Sequence, residues 1–233
     1  MSTESRPGKE IRETDDPRPA GRRVRNPRGQ GSRLRGELIA AARELLSRAS
    51  AESELTIRAV TRTAGVHPQA FYLHFDSLDQ LLYAVYAAEF AELTKALETA
   101  AFTAVPGEPA LRAMCHAYAR FALAQPARYR LLMTVPGQPH PDWDPQQLPG
   151  SPALRLLADA LAACQPTQPD RRAASGADRD AGRDRHGPGE CAVLLWASLH
   201  GLVSLRVTRP AFAWPPVGQL VDSSVDAVLA ILA

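Results

Sequence analysis

The chain has few aromatic residues, few cysteines and none of the short motifs that mark an active site. Its three cysteines, Cys115, Cys164 and Cys191, are widely spaced and odd in number, with no Cys-x-x-Cys pair. That excludes a disulfide framework and points to free thiols in a reducing compartment. The six histidines are scattered, and no His/Cys pair has metal-ligand spacing supported by a second pair, so no metal is expected. There is no Gly-x-Ser-x-Gly elbow and no phosphate-cradling glycine loop. The chain is therefore expected not to be an enzyme and to need no cofactor. No apolar run is read as approaching the roughly 18 residues of a membrane span. The polar N-terminus lacks the apolar centre of a signal peptide. A soluble cytoplasmic protein without a membrane partner is the expectation. Aromatics make up 6% against 45% hydrophobic residues overall, so a core must be built from Leu, Ala and Val. Ala and Leu favour helix, and β-branched runs are short, which predicts an all-α fold.

Net charge is only +2, but its distribution is uneven. Pro17 to Gly36 holds seven arginines (Arg18, Arg22, Arg23, Arg25, Arg28, Arg33, Arg35) and no acid, whereas residues 31 to 85 balance six arginines against six acids. Residues 1–30, rich in Pro, Gly and Arg, cannot bury enough surface to offset ordering entropy and read as a disordered basic arm. A second low-hydrophobicity stretch, 165–189, mixes both charge signs and reads as a mobile linker.

Between these segments the apolar spacing is helical. Leu34, Leu38, Ala41 or Ala42 and Leu45 form a stripe on a helix from about Ser32 to Ser50. Thr56 is placed to cap a second helix that runs to Ala64 and stops at Gly65. Pro68 suits the first turn of a third helix ending near His74. Ser77 caps a fourth, whose apolar face continues to Pro106 over about 27 residues, or about 40 Å. Further helices are expected from Glu108, over Ala127–Met133, from Pro152 to Cys164, from Glu190 to Thr208 and from Val217 to Leu232. The helix from Glu190 is apolar nearly all round and must be covered on both sides. With the last helix it suggests a subunit interface, a four-helix bundle across a two-fold axis.

The stretch Thr56–Phe75, two short helices about a tight turn at Gly65-Val66, has the shape of an element that lies in a DNA groove. Taken with Ala40-Ala-Ala-Arg-Glu-Leu-Leu46, Ala64-Gly-Val66, Phe71-Tyr-Leu-His-Phe75, Ser77 and Leu81-Leu82, it resembles the N-terminal domain of the TetR, tetracycline-repressor-like, family of transcriptional regulators. Trp196-Ala-Ser-Leu-His200-Gly201 and Tyr118–Met133 are similar to a subset of that family. The resemblance implies an N-terminal three-helix helix-turn-helix DNA-binding domain at 31–85. It also implies a C-terminal helical ligand-binding and dimerisation domain at 86–233. The implied partners are a double-stranded palindromic operator, a second copy of the chain and a small-molecule effector. Two departures stand out. Val60-Thr61 replaces the usual Ile-Ala, so packing of the second helix is expected to differ. Leu78 replaces a lysine that lies near a DNA phosphate in relatives, which shifts weight to the arginine arm.

By family geometry the third helix enters the major groove and presents His67, Pro68, Gln69, Ala70 and Leu73, flanked by Tyr72 and His74. Gln69 offers an amide to adenine and Ala70 a methyl to thymine. Thr56 and Tyr72 are hydroxyls for phosphates, and Arg33 and Arg35 lie at the folded end of the arm. Met114, Tyr118, Phe121, Leu131, Met133, Trp196 and His200 are candidates for an apolar ligand cavity with a few polar groups. They serve equally as core, with Gly201 then permitting close helix approach. Three functions follow: a ligand-released dimeric repressor, a constitutive DNA-binding regulator without ligand, and an all-α small-molecule-binding protein with weak DNA affinity.

Overall fold

The computed structural model describes residues 30–48, 55–133, 148–165 and 187–233. The expected basic arm and nearly all of the expected 165–189 linker lie outside the described residues. Within them every regular element is a helix, nine in all: α1 Gln30–Arg48, α2 Ile57–Thr63, α3 Pro68–Phe71, α4 Leu78–Phe102, α5 Glu108–Ala124, α6 Pro126–Met133, α7 Ser151–Ala162, α8 Pro188–Thr208 and α9 Val217–Leu232. The all-α expectation holds.

Two apolar cores organise these helices. The first gathers Leu38, Ala42 and Leu46 of α1, Val60 of α2, Phe71 and Phe75, and Leu81, Val85 and Tyr86 of α4. The second gathers Leu93 and Leu97 of α4 with inward residues of α5 to α9, among them Met114, Leu157, Leu195 and Val225. Helix α4 runs through both. At 25 residues it spans about 37 Å at the helical rise of about 1.5 Å per residue. It stops at Phe102, four residues short of Pro106, where Thr103 caps it and a turn follows.

Helix α3 is shorter than its apolar spacing implied. After Phe71 the ladder tightens, with Leu73 N–H donating to Ala70 O and His74 N–H to Phe71 O, so 72–74 form turns. The burial of Phe71 and Phe75 fixes this segment whether or not it is helical.

Helix α8 corrects two expectations. Its 21 residues hold an 18-residue window of mean hydropathy 1.5, long and apolar enough to cross a membrane by length and composition. The statement that no run approaches that length therefore fails. Glu190, His200 and Arg206 are dispersed along the helix, so the average over the window stays apolar. One face of α8 (Cys191, Leu195, Leu199, Val203) is buried in the second core. The other face leaves Val193, Leu194, Trp196 and Leu205 exposed. The helix is covered within the chain on one side only. A Cβ built at Gly201 meets nothing within 4 Å, so close helix approach does not account for that glycine.

Candidate DNA-contacting surface and the polar core behind it

Helix α2 begins at Thr56, whose Oγ1 accepts from Ala59 N–H at 3.1 Å. The hydroxyl proton stays available, so capping and a phosphate contact are compatible. Thr61 is buried, and its hydroxyl donates to Ile57 O at 2.8 Å. That bond satisfies the polar atom that replaces a family alanine and lets α2 pack without an orphan donor. Gly65 takes φ 68° and turns the chain. A residue with a Cβ is strained in that left-handed conformation, although the space around it is open.

His67 closes the turn by accepting from Gln69 N–H on its Nδ1 at 3.3 Å, and Pro68 fills the first helical position. With Nδ1 accepting, Nε2 carries a ring proton and is a donor. Phe71 and Phe75 are fully buried with ring centroids 5.6 Å apart, and they anchor the element to α1 and α4. On that foundation His67, Pro68, Gln69, Tyr72 and Leu73 are exposed, and Ala70 and His74 are half-buried. Tyr72 leans edge-on against Phe71 at 5.4 Å, and Leu73 is 77% exposed.

The two arginines at the start of α1 differ. Arg33 pairs with Glu37 one helical turn away at 2.8 Å. The guanidinium of Arg35 lies over the Phe75 ring at 5.0 Å, at the edge of the same surface. Sequence reading missed Arg58 and Arg62. They stand four apart on α2, share a face, and are both exposed. The i,i+4 spacing was the available signal, hidden by the balanced charge of the surrounding region. Leu78 packs partly against the first core, so that position contributes burial where the resemblance led to the expectation of a lysine. Ser77 still caps α4 by accepting from Gln80 N–H, and Gln80 reaches back to Asp76 N–H.

On the expectation that this surface meets DNA, Gln69 is a candidate base contact and Arg62 a candidate phosphate contact. Gln69→Ala is expected to weaken binding to the preferred site by about 1–3 kcal/mol and to relax the base preference there. Arg62→Ala is expected to weaken binding to all sequences alike and to lower the slope of log K against log salt by about 1. Fluorescence anisotropy on matched and mismatched duplexes across a salt series distinguishes the two.

Behind this surface, in the second core, Tyr118 of α5, Tyr129 of α6 and His200 of α8 form a hydrogen-bonded chain. The two phenol oxygens are 2.7 Å apart, and Tyr129 Oη lies 2.7 Å from His200 Nδ1. Ser204 Oγ lies 3.4 Å from the ring, and the Trp196 ring centroid lies 6.3 Å from that of His200. Burial pushes the Tyr118 phenol up to about 12 and raises Tyr129 as well. Burial lowers His200 below the usual histidine range. The chain is therefore neutral near pH 7, with Tyr129 Oη and His200 Nδ1 sharing one hydrogen bond. Of the other candidate ligand residues, Met114 is buried in this core and Phe121 and Met133 pack partly against it, while Trp196 is 38% exposed. Leu131 stands apart: it is buried in the first core, one residue from Leu132 in the second. Its address was unreadable from helical spacing because α6 serves both cores.

The lowered His200 value has a signed consequence. Its unfolded pKa is near 6.5 and its folded pKa is lower. The stabilisation from a neutral His200 is fully present above the unfolded value and is lost as pH falls towards the folded one. A plot of Tm against pH from 8 to 5 should fall more steeply below about 6.5 for the wild type than for His200→Gln.

A groove between α8 and α9, of about 430 Å³, is lined by Leu194, Leu202, Leu220, Val228 and Ile231 with serines among them. It is open rather than enclosed and lies on the uncovered side of α8.

Comparison with known proteins places this architecture. The family description "Bacterial regulatory proteins, tetR family" matches residues 38–85, and "Tetracyclin repressor-like, C-terminal domain" matches residues 111–232. Among curated proteins none matches the chain. A solved protein of unknown function from Rhodococcus sp. RHA1 is 25% identical with a TM-score of 0.64, covering 84% of this chain and 94% of that one. A TetR family transcription regulator from Marinobacter aquaeolei VT8 is 13% identical with a TM-score of 0.59, over 88% of this chain and 97% of that one. FadR from Bacillus subtilis, solved in complex with stearoyl-CoA, is 11% identical with a TM-score of 0.58, over 85% and 99%. The last two likenesses concern the fold.

Proposed function

The chain belongs to the tetR family of bacterial regulatory proteins and is a DNA-binding regulator of transcription, and on that premise we propose that it acts as a dimeric repressor released from a palindromic operator by a small, largely apolar effector. The observation that carries the reading is the rim His67, Gln69, Tyr72 and Leu73, exposed on a base of fully buried Phe71 and Phe75. A rigid base with polar tips is what sequence reading in a groove requires.

The proposed DNA-binding domain is 31–85 and the effector and dimerisation domain 86–233. The exposed apolar face of α8, continued by Ile231 of α9, supports pairing with a second copy, since contiguous apolar surface of this kind marks an interaction site. Met114, Tyr118, Phe121, Trp196 and His200 are the proposed effector-facing set. The neutral Tyr118–Tyr129–His200 chain offers hydrogen bonds without a formal charge and so favours an uncharged or weakly polar group. That FadR holds stearoyl-CoA in a similar fold supports an apolar ligand of some kind. In this reading the protein works in the cytoplasm, with no membrane partner, no cofactor and no catalysis.

The test is a mobility-shift assay with the DNA upstream of the protein's own coding region. A shift competed by that DNA and not by unrelated DNA, weakening as salt rises, is expected. Absence of any sequence-dependent shift at moderate salt would sink the reading.

A further inference from the structure

Helix α4 carries one acid that is fully buried, Glu89. Its two carboxylate oxygens are held by arginines from opposite sides. Arg43 of α1 donates to one at 2.5 Å, and Arg128 of α6 donates to the other at 2.7 Å. Arg43 belongs to the helix that builds the first core; Arg128 belongs to α6, eight residues long and shared between the cores. From α6 the neighbouring Tyr129 joins the Tyr118–His200 chain, Leu131 is buried in the first core and Leu132 in the second. Arg128 is fixed further by Gln125 Oε1 at 2.7 Å and by the face of Phe121 at 5.6 Å. Its Nη2 is buried without a hydrogen-bond partner, so the guanidinium is placed for Glu89 at the expense of its own full pairing.

A buried carboxylate gripped by two cations has few alternative positions, because any rotation of α1 against α6 strips a charge of its partner in a place water does not reach. Apolar contacts between the same helices lack that directionality and tolerate sliding. We infer that Glu89, through Arg43 and Arg128, fixes the angle between the helix-turn-helix and the effector-facing helices, and thereby sets which spacing of operator half-sites the protein accepts. Glu89 is a positioning residue: it lies in the interior, away from the proposed DNA surface. In some proteins a buried polar or ionic group fixes register and orientation in this way.

This inference rests on the proposed two-fold reading, and the experiment separates the two. A binding site is first selected from random DNA with the wild-type protein. Duplexes are then made with the half-sites moved together or apart by one and two base pairs, two base pairs being about 70° of helical rotation. Binding is measured for the wild type, Arg43→Met, Arg43→Lys and Glu89→Gln, with Tm recorded for each. The wild type is expected to bind the altered spacings at least about tenfold more weakly than the selected one. In Arg43→Met, which keeps the Glu89–Arg128 pair and most of the packing, that discrimination should shrink to within about threefold, as for sites joined by a flexible tether. Arg43→Lys should restore part of it. Glu89→Gln should behave as Arg43→Met does; if it does not fold, Arg43→Met decides. A purely structural role would lower Tm and affinity equally at every spacing. Wild-type discrimination retained in Arg43→Met, and in Glu89→Gln if that protein folds, overturns the assignment while leaving the dimer intact. A wild type indifferent to spacing overturns both.

Discussion

Phe71→Ala should abolish sequence-specific DNA binding while leaving the effector-facing helices folded. Phe71 is fully buried at the junction of α1, α3 and α4, and its ring packs on Phe75 and Tyr72. Its truncation removes one of the two largest apolar groups under the proposed recognition surface and leaves a cavity. Such a change costs about 3–5 kcal/mol. The first core has few other large side chains, since most of its members are Leu, Ala or Val. The loss therefore falls on a small unit, and Tm of that unit should drop by roughly 12–40 °C. The second core shares no side chain with Phe71, so near-ultraviolet signals from its tyrosines and Trp196 should persist. Calorimetry that finds one unshifted transition, with DNA binding intact, would contradict this account of how α3 is held. Tyr72→Ala at the neighbouring position provides the contrast. It leaves the core and should affect only contacts with DNA.

Leu194→Glu should convert a dimer to a monomer and weaken operator binding by about a hundredfold or more, the range lost when one of two linked sites disengages. Leu194 is 42% exposed on α8, beside Val193 and facing the groove that Leu202, Val228 and Ile231 also line. In an isolated chain glutamate here meets solvent, so folding should be nearly unaffected. In the proposed two-fold dimer the same side chain would be placed in an apolar seam. Two like charges would then be desolvated together without partners. Light scattering distinguishes the outcomes: a dimeric Leu194→Glu protein with unchanged DNA affinity would place the subunit contact elsewhere.

Sequence patterns carried the helix-turn-helix well because its signals are local. A capping threonine at 56, a glycine at 65, a proline at 68 and two aromatics four apart each specify backbone geometry within a turn or two. The same patterns said less where residues meet over long distances. Leu131 was grouped with Tyr118 and His200 by helix stripe, yet it is buried in the first core, because the short α6 presents different faces to two cores. Glu89 gave no signal as one of four acids on α4; its meaning comes from Arg43 and Arg128, 46 residues before it and 39 after. Arg58 and Arg62 were hidden because charge summed over a region cancels where charge on one helical face does not. The polar chain at His200 lay halfway: Trp196 and His200 were legible as one face of a helix, whereas their tyrosine partners on α5 and α6 required the fold.

One measurement bears most directly on the central claim, that Thr56–Phe75 reads DNA as one of a symmetric pair. Purified full-length protein is used to select binding sites from a pool of random duplexes at moderate salt, and the enriched sequences are compared. The account predicts an inverted repeat whose half-site centres lie about one helical turn apart, roughly 34–36 Å or a multiple of it, with enrichment lost for Gln69→Ala at one base position in each half. A pool that stays random, or that yields single half-sites without symmetry, would contradict it.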